Sequence, residues 1–107
     1  MTNFVVDDVR AALDRAAEPG SSEGIAEFFR KRHIYGATMD YSRCIIACYL
    51  RAEVDGVGYV KVLGGMVGIA DDQWWVPLPA ELIRFTNDFD LYVYPELVDE
   101  GVAWPPR

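Results

Sequence analysis

Cys44-Ile45-Ile46-Ala47-Cys48-Tyr49-Leu50 is the stretch whose reading decides the fold. As a strand it sets Cys44, Ile46, Cys48 and Leu50 on one face; as a helix it gathers Ile45, Ile46, Tyr49 and Leu50 into one stripe. Length separates the two. The run sits in a segment of about a dozen residues, 41–53, whereas strands usually hold roughly five or six. Ala47 and Ala52 lean the same way, so the helix reading is preferred, with Asp40 or Ser42 as its cap.

Upstream, Phe4–Ala17 places Val5, Val9, Leu13 and Ala16 at three- and four-residue steps, the pattern of an amphipathic helix. Glu18-Pro19-Gly20 stops it, and Ser21 or Ser22 supplies the cap oxygen for a second helix over 22–33 that buries Ile25, Phe28 and Phe29. Glu27 and Lys31 are spaced for a four-residue ion pair, and Gly36 is the expected exit.

Downstream, the apolar runs 59–63 and 66–70 flank Gly64-Gly65, the signature of a two-residue hairpin, because both central positions tolerate positive φ. Asp71-Asp72 turns the chain into a third strand over 73–76. Pro79 opens a last helix bearing Leu82, Phe85 and Phe89 and ending near Asn87 or Phe89. Leu91-Tyr92-Val93-Tyr94 is a candidate final strand, and Trp104-Pro105-Pro106-Arg107 carries no regular-structure signal. The expectation is one α+β domain over residues 1–107: three N-terminal helices, a small, mainly antiparallel sheet with a Gly-Gly hairpin, and one C-terminal helix.

Two groups of stretches carry a resemblance. Ile25-Ala26-Glu27-Phe28-Phe29, Ile34-Tyr35-Gly36 and Cys44 to Arg51 form the first; Leu78-Pro79, Phe85, Phe89-Asp90 and Tyr94-Pro95-Glu96-Leu97 form the second. Over roughly residues 24–98 the chain resembles short uncharacterised proteins of actinobacteria and their phages. Those proteins usually carry Pro directly after the first cysteine and a small residue between the Phe-Asp and Tyr-Pro pairs; this chain has Ile45 and Leu91-Tyr92-Val93 instead. The resemblance implies a helix start near Cys44 and no particular activity.

The net charge of −7 is unevenly spread: residues 1–70 hold 9 acids and 8 bases, whereas residues 71–107 hold 8 acids and 2 bases. Such a field repels nucleic-acid phosphate and anionic lipid and favours a basic partner, although charge kept for solubility is the plainer explanation. No apolar run approaches the ~20 residues of a membrane span, and Asp7 and Asp8 follow the N-terminus where a signal peptide would be apolar. Cys44 and Cys48 are poorly placed to bridge each other within regular structure and read as reduced thiols of a cytoplasmic protein.

Catalytic and metal chemistry find few residues to work with. Cys44, Cys48 and His33 fall short of the four ligands of a structural zinc site, and His33 follows Arg30-Lys31-Arg32, whose charge disfavours an imidazolium. Asp71/Asp72 and Asp88/Asp90 have the spacing of solvated turn ends. Gly64-Gly65-Met66-Val67-Gly68 lacks the Lys-Ser/Thr of a phosphate loop. The reading is therefore no catalytic site, no metal and no cofactor.

Two surface features remain. Arg30, Lys31 and Arg32, on helices followed by a hairpin, match the element order of a winged-helix nucleic-acid binder, against the sign of the net charge. Trp74 and Trp75 are adjacent, so in a strand they face opposite sides; either one is exposed or a helix covers the second face. An exposed indole near Asp71, Asp72, Asp88 and Asp90 would have the composition of a binding hot spot. The expected function is a non-enzymatic interaction or modulator protein that meets a basic or apolar partner, with homodimerisation as its self-directed form.

Overall fold

The structure, a computed structural model, describes residues 4–101; the Trp104–Arg107 stretch lies outside them. Four helices, α1 (Phe4–Ala17), α2 (Ser22–Lys31), α3 (Ile45–Glu53) and α4 (Ala80–Asp90), pack with three strands, β1 (Lys61–Leu63), β2 (Met66–Ile69) and β3 (Trp74–Pro77). A 3-10 turn, Pro95–Leu97, follows α4. The sheet is an antiparallel meander in the order β1-β2-β3, so the fold is α+β with helices at both ends of the chain.

The contested stretch is helical. Ile45, Ile46, Ala47, Tyr49 and Leu50 are buried, while Cys48 is only half-buried, which is the helical stripe and not the strand face. The helix starts four residues later than position 41. Asp40 accepts hydrogen bonds from the amides of Ser42 (3.0 Å) and Arg43 (2.9 Å) and binds the Arg43 guanidinium at 2.7 Å, so it caps a turn at 41–43 instead of the helix. Cys44 takes the N-cap position without a side-chain cap bond.

Helix α2 opens as expected, with Ser21 Oγ accepting from the Gly24 amide at 3.0 Å. It ends at Lys31, not His33, and the exit is His33 itself and not Gly36. His33 adopts φ 55° while its amide donates to Arg30 O and that of Ile34 to Phe29 O, each at 3.1 Å: a Schellman closure with an imidazole at the left-handed position. Glu27 pairs with Arg30 (2.9 Å) where Lys31 was expected.

Gly36 serves a different purpose. A Cβ there would overlap the backbone N and Cα of Ile45, so only glycine lets this segment lie against the start of α3. Its amide donates to Leu97 O (3.1 Å) and its carbonyl accepts from the Asp99 amide (2.8 Å), making a parallel bridge to Val98. The expected strand at 91–94 is absent. Helix α4 runs on to Asp90 from Pro79 at its N-cap, Tyr92 turns at φ 60°, and Pro95 opens the 3-10 turn.

The strands are shorter than their apolar runs. Leu63 and Met66 pair across Gly64 and Gly65, whose φ values of 55° and 79° are those of a tight hairpin. Ala70, Asp71 and Asp72 follow with φ of 53°, 54° and 68°, which removes Ala70 from β2 and delays β3 to Trp74.

One continuous core joins these elements. Val9, Leu13 and Ala16 of α1, the stripe of α3, Val67, Ile69 and Val76 of the sheet and Leu82, Phe85 and Phe89 of α4 belong to it. Each fully buried Leu, Ile or Phe contributes about 1.5–3 kcal/mol over leaving it exposed. Phe29 meets both Tyr49 (ring centroids 5.3 Å apart) and Phe85 (5.4 Å), joining α2, α3 and α4. The buried Tyr49 hydroxyl donates to Ala12 O at 2.7 Å, so α1 and α3 meet without an unsatisfied polar group at that point.

Candidate functional site

Strand alternation sorts the sheet into two faces. Val67, Ile69 and Val76 enter the core, so Lys61, Leu63, Met66, Gly68, Trp75 and Pro77 point the other way. Trp75 lies flat on Gly68: a Cβ at 68 would sit 2.8 Å from its ring. The indole is thereby held by backbone, with 39% of its surface still in water. Trp74 belongs to the core side but pairs with Ile69 at the open end of the sheet and stays 45% exposed. Neither indole is inside, and among the described residues no helix covers the second face down to burial.

Asp71 and Asp72 occupy the turn beside the Trp pair, and Asp72 binds Lys61 at 3.0 Å. Asp88 and Asp90 do not join them. They lie on the last turn of α4, and Asp90 lines a cleft with Gly64 and Gly65, at the other end of the sheet. The six proposed partner-binding residues are therefore two separate groups.

The basic triplet is largely spoken for. Arg30 binds Glu23 (3.2 Å), Glu27 (2.9 Å) and Glu96 (2.7 Å), which ties α2 to the 3-10 turn; that grip holds the Glu96 carboxyl below its ordinary value. The Arg32 guanidinium stacks on the Phe28 ring at 3.6 Å. Lys31 is the member of the triplet without an ion pair or ring contact among the described residues.

The soft candidates are scattered. His33 is exposed at the α2 exit, Cys44 is buried at the α3 N-cap and Cys48 is half-buried one turn on, receiving a hydrogen bond from Arg51 at 3.4 Å. Burial pushes the Cys44 thiol up to about 12 and raises that of Cys48, the opposite of an activated nucleophile. Among the described residues no three His, Cys, Asp or Glu side chains gather as for a metal ion. No helix among those residues is long and apolar enough to cross a membrane.

A cleft of about 350 Å³ lies between residues 39–45, the Gly64-Gly65 turn and α4. Buried Ile45, Leu78 and Phe89 form its floor, and Met39, Tyr41, Leu63 and Ile83 stand exposed around it. Asp90 Oδ1 accepts from the Met39 amide at 3.0 Å and holds that residue at φ 54°. Of these residues only Asp90 is anticipated by sequence reasoning. The one available signal was Ile83, which falls off the Leu82-Phe85-Phe89 stripe of α4 and so had to face something other than the core.

No protein-family model matches the chain, and no curated protein or solved structure matches it either.

Proposed function

We propose that this chain is a non-enzymatic protein-interaction domain whose acidic C-terminal third, centred on Trp75, meets a basic or apolar partner surface. One observation supports the reading above others: an indole fixed on Gly68 yet 39% exposed, in line with Leu63, Met66 and Pro77 and beside Asp71 and Asp72. A ring already immobilised in the free protein loses little freedom on binding, and aromatic anchors rimmed by charge are the usual composition of hot spots. The sign of the charge selects a basic partner over phosphate or anionic lipid. A modulator in the manner of small acidic immunity proteins, of the actinobacterial or phage kind resembled above, fits these properties. A cytoplasmic setting suits its two free thiols.

Chemical cross-linking in the native host tests it, comparing the wild-type chain with Trp75→Ala. A protein cross-linked by the first and lost with the second is expected. Identical cross-linked species from both would remove Trp75 from the interface and the reading with it. Elution that depends on concentration and ceases to do so in Trp75→Ala would make the partner a second copy. A mobility shift of a short DNA duplex at low salt that disappears on replacing Arg30, Lys31 and Arg32 would replace this reading by the nucleic-acid one.

A further inference from the structure

We propose that the cleft between residues 39–45, the Gly64-Gly65 turn and α4 docks a segment of a partner protein that presents a large apolar side chain next to a lysine or arginine. This goes beyond the reading centred on Trp75, because it rests on a cleft at the other end of the sheet that shares only Leu63 with the row beside that indole.

Size and lining come first. At about 350 Å³ the cleft is at the small end of binding clefts, roughly 300–1,000 Å³, and is large enough for one bulky side chain and its neighbour. Its floor of Ile45, Leu78 and Phe89 offers that side chain apolar surface already shielded from water. The cleft is half open to solvent, which suits a segment of a partner laid over it better than an enclosed small molecule.

The rim gives the second argument. Met39 is 82% exposed, Tyr41 51%, Leu63 48% and Ile83 37%, all bordering this one cleft. Met39 is moreover held in a left-handed backbone, an arrangement costing about 1–2 kcal/mol for a residue other than glycine. Two carboxylates hold it there: Asp90 receives the Met39 amide (3.0 Å) and Glu100 the Thr38 amide (3.2 Å). The fold thus expends strain to keep a flexible apolar side chain in water, and methionine is suited to adapt to an incoming partner.

Charge selects the partner. Among the described residues no Lys, Arg or His lines the cleft, and its two carboxylates differ. Asp40 is neutralised by Arg43 at 2.7 Å, whereas Asp90 is paired with no cation among the described residues. A half-buried carboxylate beside apolar walls is complementary to a cation carried next to an apolar group.

A random dodecapeptide library displayed on phage, panned against the full chain and counter-selected on Asp90→Asn, tests the proposal. Asn keeps the acceptor for the Met39 amide and removes only the charge. The selected peptides are expected to carry Lys or Arg beside Leu, Ile, Phe or Trp. A synthetic representative should bind Asp90→Asn about tenfold more weakly, a change of about 1.4 kcal/mol, lose measurable binding to Ile83→Glu, and bind Trp75→Ala unchanged. Circular dichroism checks that each variant folds, and amide shifts confined to the cleft on titrating wild type provide a readout needing no variant. Failure to select any peptide, selected peptides without a cation, or equal affinity for wild type and Asp90→Asn would overturn the proposal. Binding lost in Trp75→Ala and kept in Ile83→Glu would overturn it too, while leaving the Trp75 reading standing. Self-association abolished by Ile83→Glu would assign the cleft to a second copy and overturn the partner segment.

Discussion

The two turns of the meander have the same left-handed backbone, reached by different means. The first, Gly64-Gly65, has φ of 55° and 79° at residues without a Cβ, where the conformation is nearly free. The second, Ala70-Asp71-Asp72, has φ of 53°, 54° and 68° at residues with one, each step costing about 1 kcal/mol or more. Asp tolerates this backbone better than most, and Asp72 recovers part of the cost through Lys61 at 3.0 Å. What the difference teaches is where this small domain tolerates strain. It is stored beside Trp74 and Trp75, at Met39 and Tyr92 next to exposed apolar side chains, and at His33 where α2 ends, while the turn facing Ile83 is built from relaxed glycines. Strain held in place by surrounding contacts is a recurrent mark of functional surface.

The comparison can be broken by substitution, and the largest effect is expected at a glycine that belongs to neither turn. Gly36→Ala drives a Cβ into the backbone of Ile45, so the variant should lose about 3 kcal/mol or more by urea unfolding. Stability close to wild type would show that the 36–45 contact can shift, and that crowding is a weaker demand than φ. Next comes Gly65→Val, which combines φ of 79° with a Cβ 3.2 Å from Ile83 Cδ1; a loss of about 2–3 kcal/mol is expected. Ala70→Gly tests the second turn from the other side. It relaxes an exposed left-handed residue and should raise the urea midpoint by the equivalent of about 0.5–1 kcal/mol, whereas a loss would mean the turn is not strained.

Acid and base act on other regions. Burial opposes ionisation of Asp40, but Arg43 and the amides of Ser42 and Arg43 outweigh it and hold its carboxyl below 3.8; Thr38 and Tyr92 hold Glu100 below 4.5. With folded values lowered, the unfolded chain binds more protons in this window. Stability is therefore present above the ordinary carboxylate range and is lost as pH falls through the lowered values. A plot of urea midpoint against pH should fall below about pH 5, less steeply in Asp40→Asn. At the other extreme burial keeps the Cys44 thiol protonated up to about 12 against 9.0 when unfolded, so stability should decline as pH rises above 9.0. The smallest effect is chemical: at neutral pH Cys44 should be inert to a thiol reagent in the native protein and react at once in denaturant.

How far these features could be seen beforehand depends on the range of the interaction that makes them. The helix over the Cys44–Leu50 stretch follows from length and a local stripe, and the Gly-Gly hairpin from the φ preference of two neighbours; both were legible. The ends of elements were not, because they are settled by side chains reaching the backbone: Asp40 takes the amides that would have started α3 early, and His33 takes the left-handed site before Gly36 is reached. The Trp pair was legible as an oddity. That both indoles stay in water depends on Gly68 across the strand and on the sheet ending at Ile69. The cleft was legible least of all. It is assembled from residues 39–45, 62–65 and 78–90, and no window of sequence contains more than one of its walls.

The bridge between Gly36 and Val98 has a topological consequence. It fastens together the two ends of the chain segment that contains α3, the whole sheet and α4, so that segment is a ring closed by hydrogen bonds. A protease cutting once in the exposed loop around Gly56 would sever the ring without freeing either piece, since each stays clasped at the bridge and shares the core. The nicked protein should travel as one species until denatured, and a circular permutant opened at that loop starts with its halves already held in register.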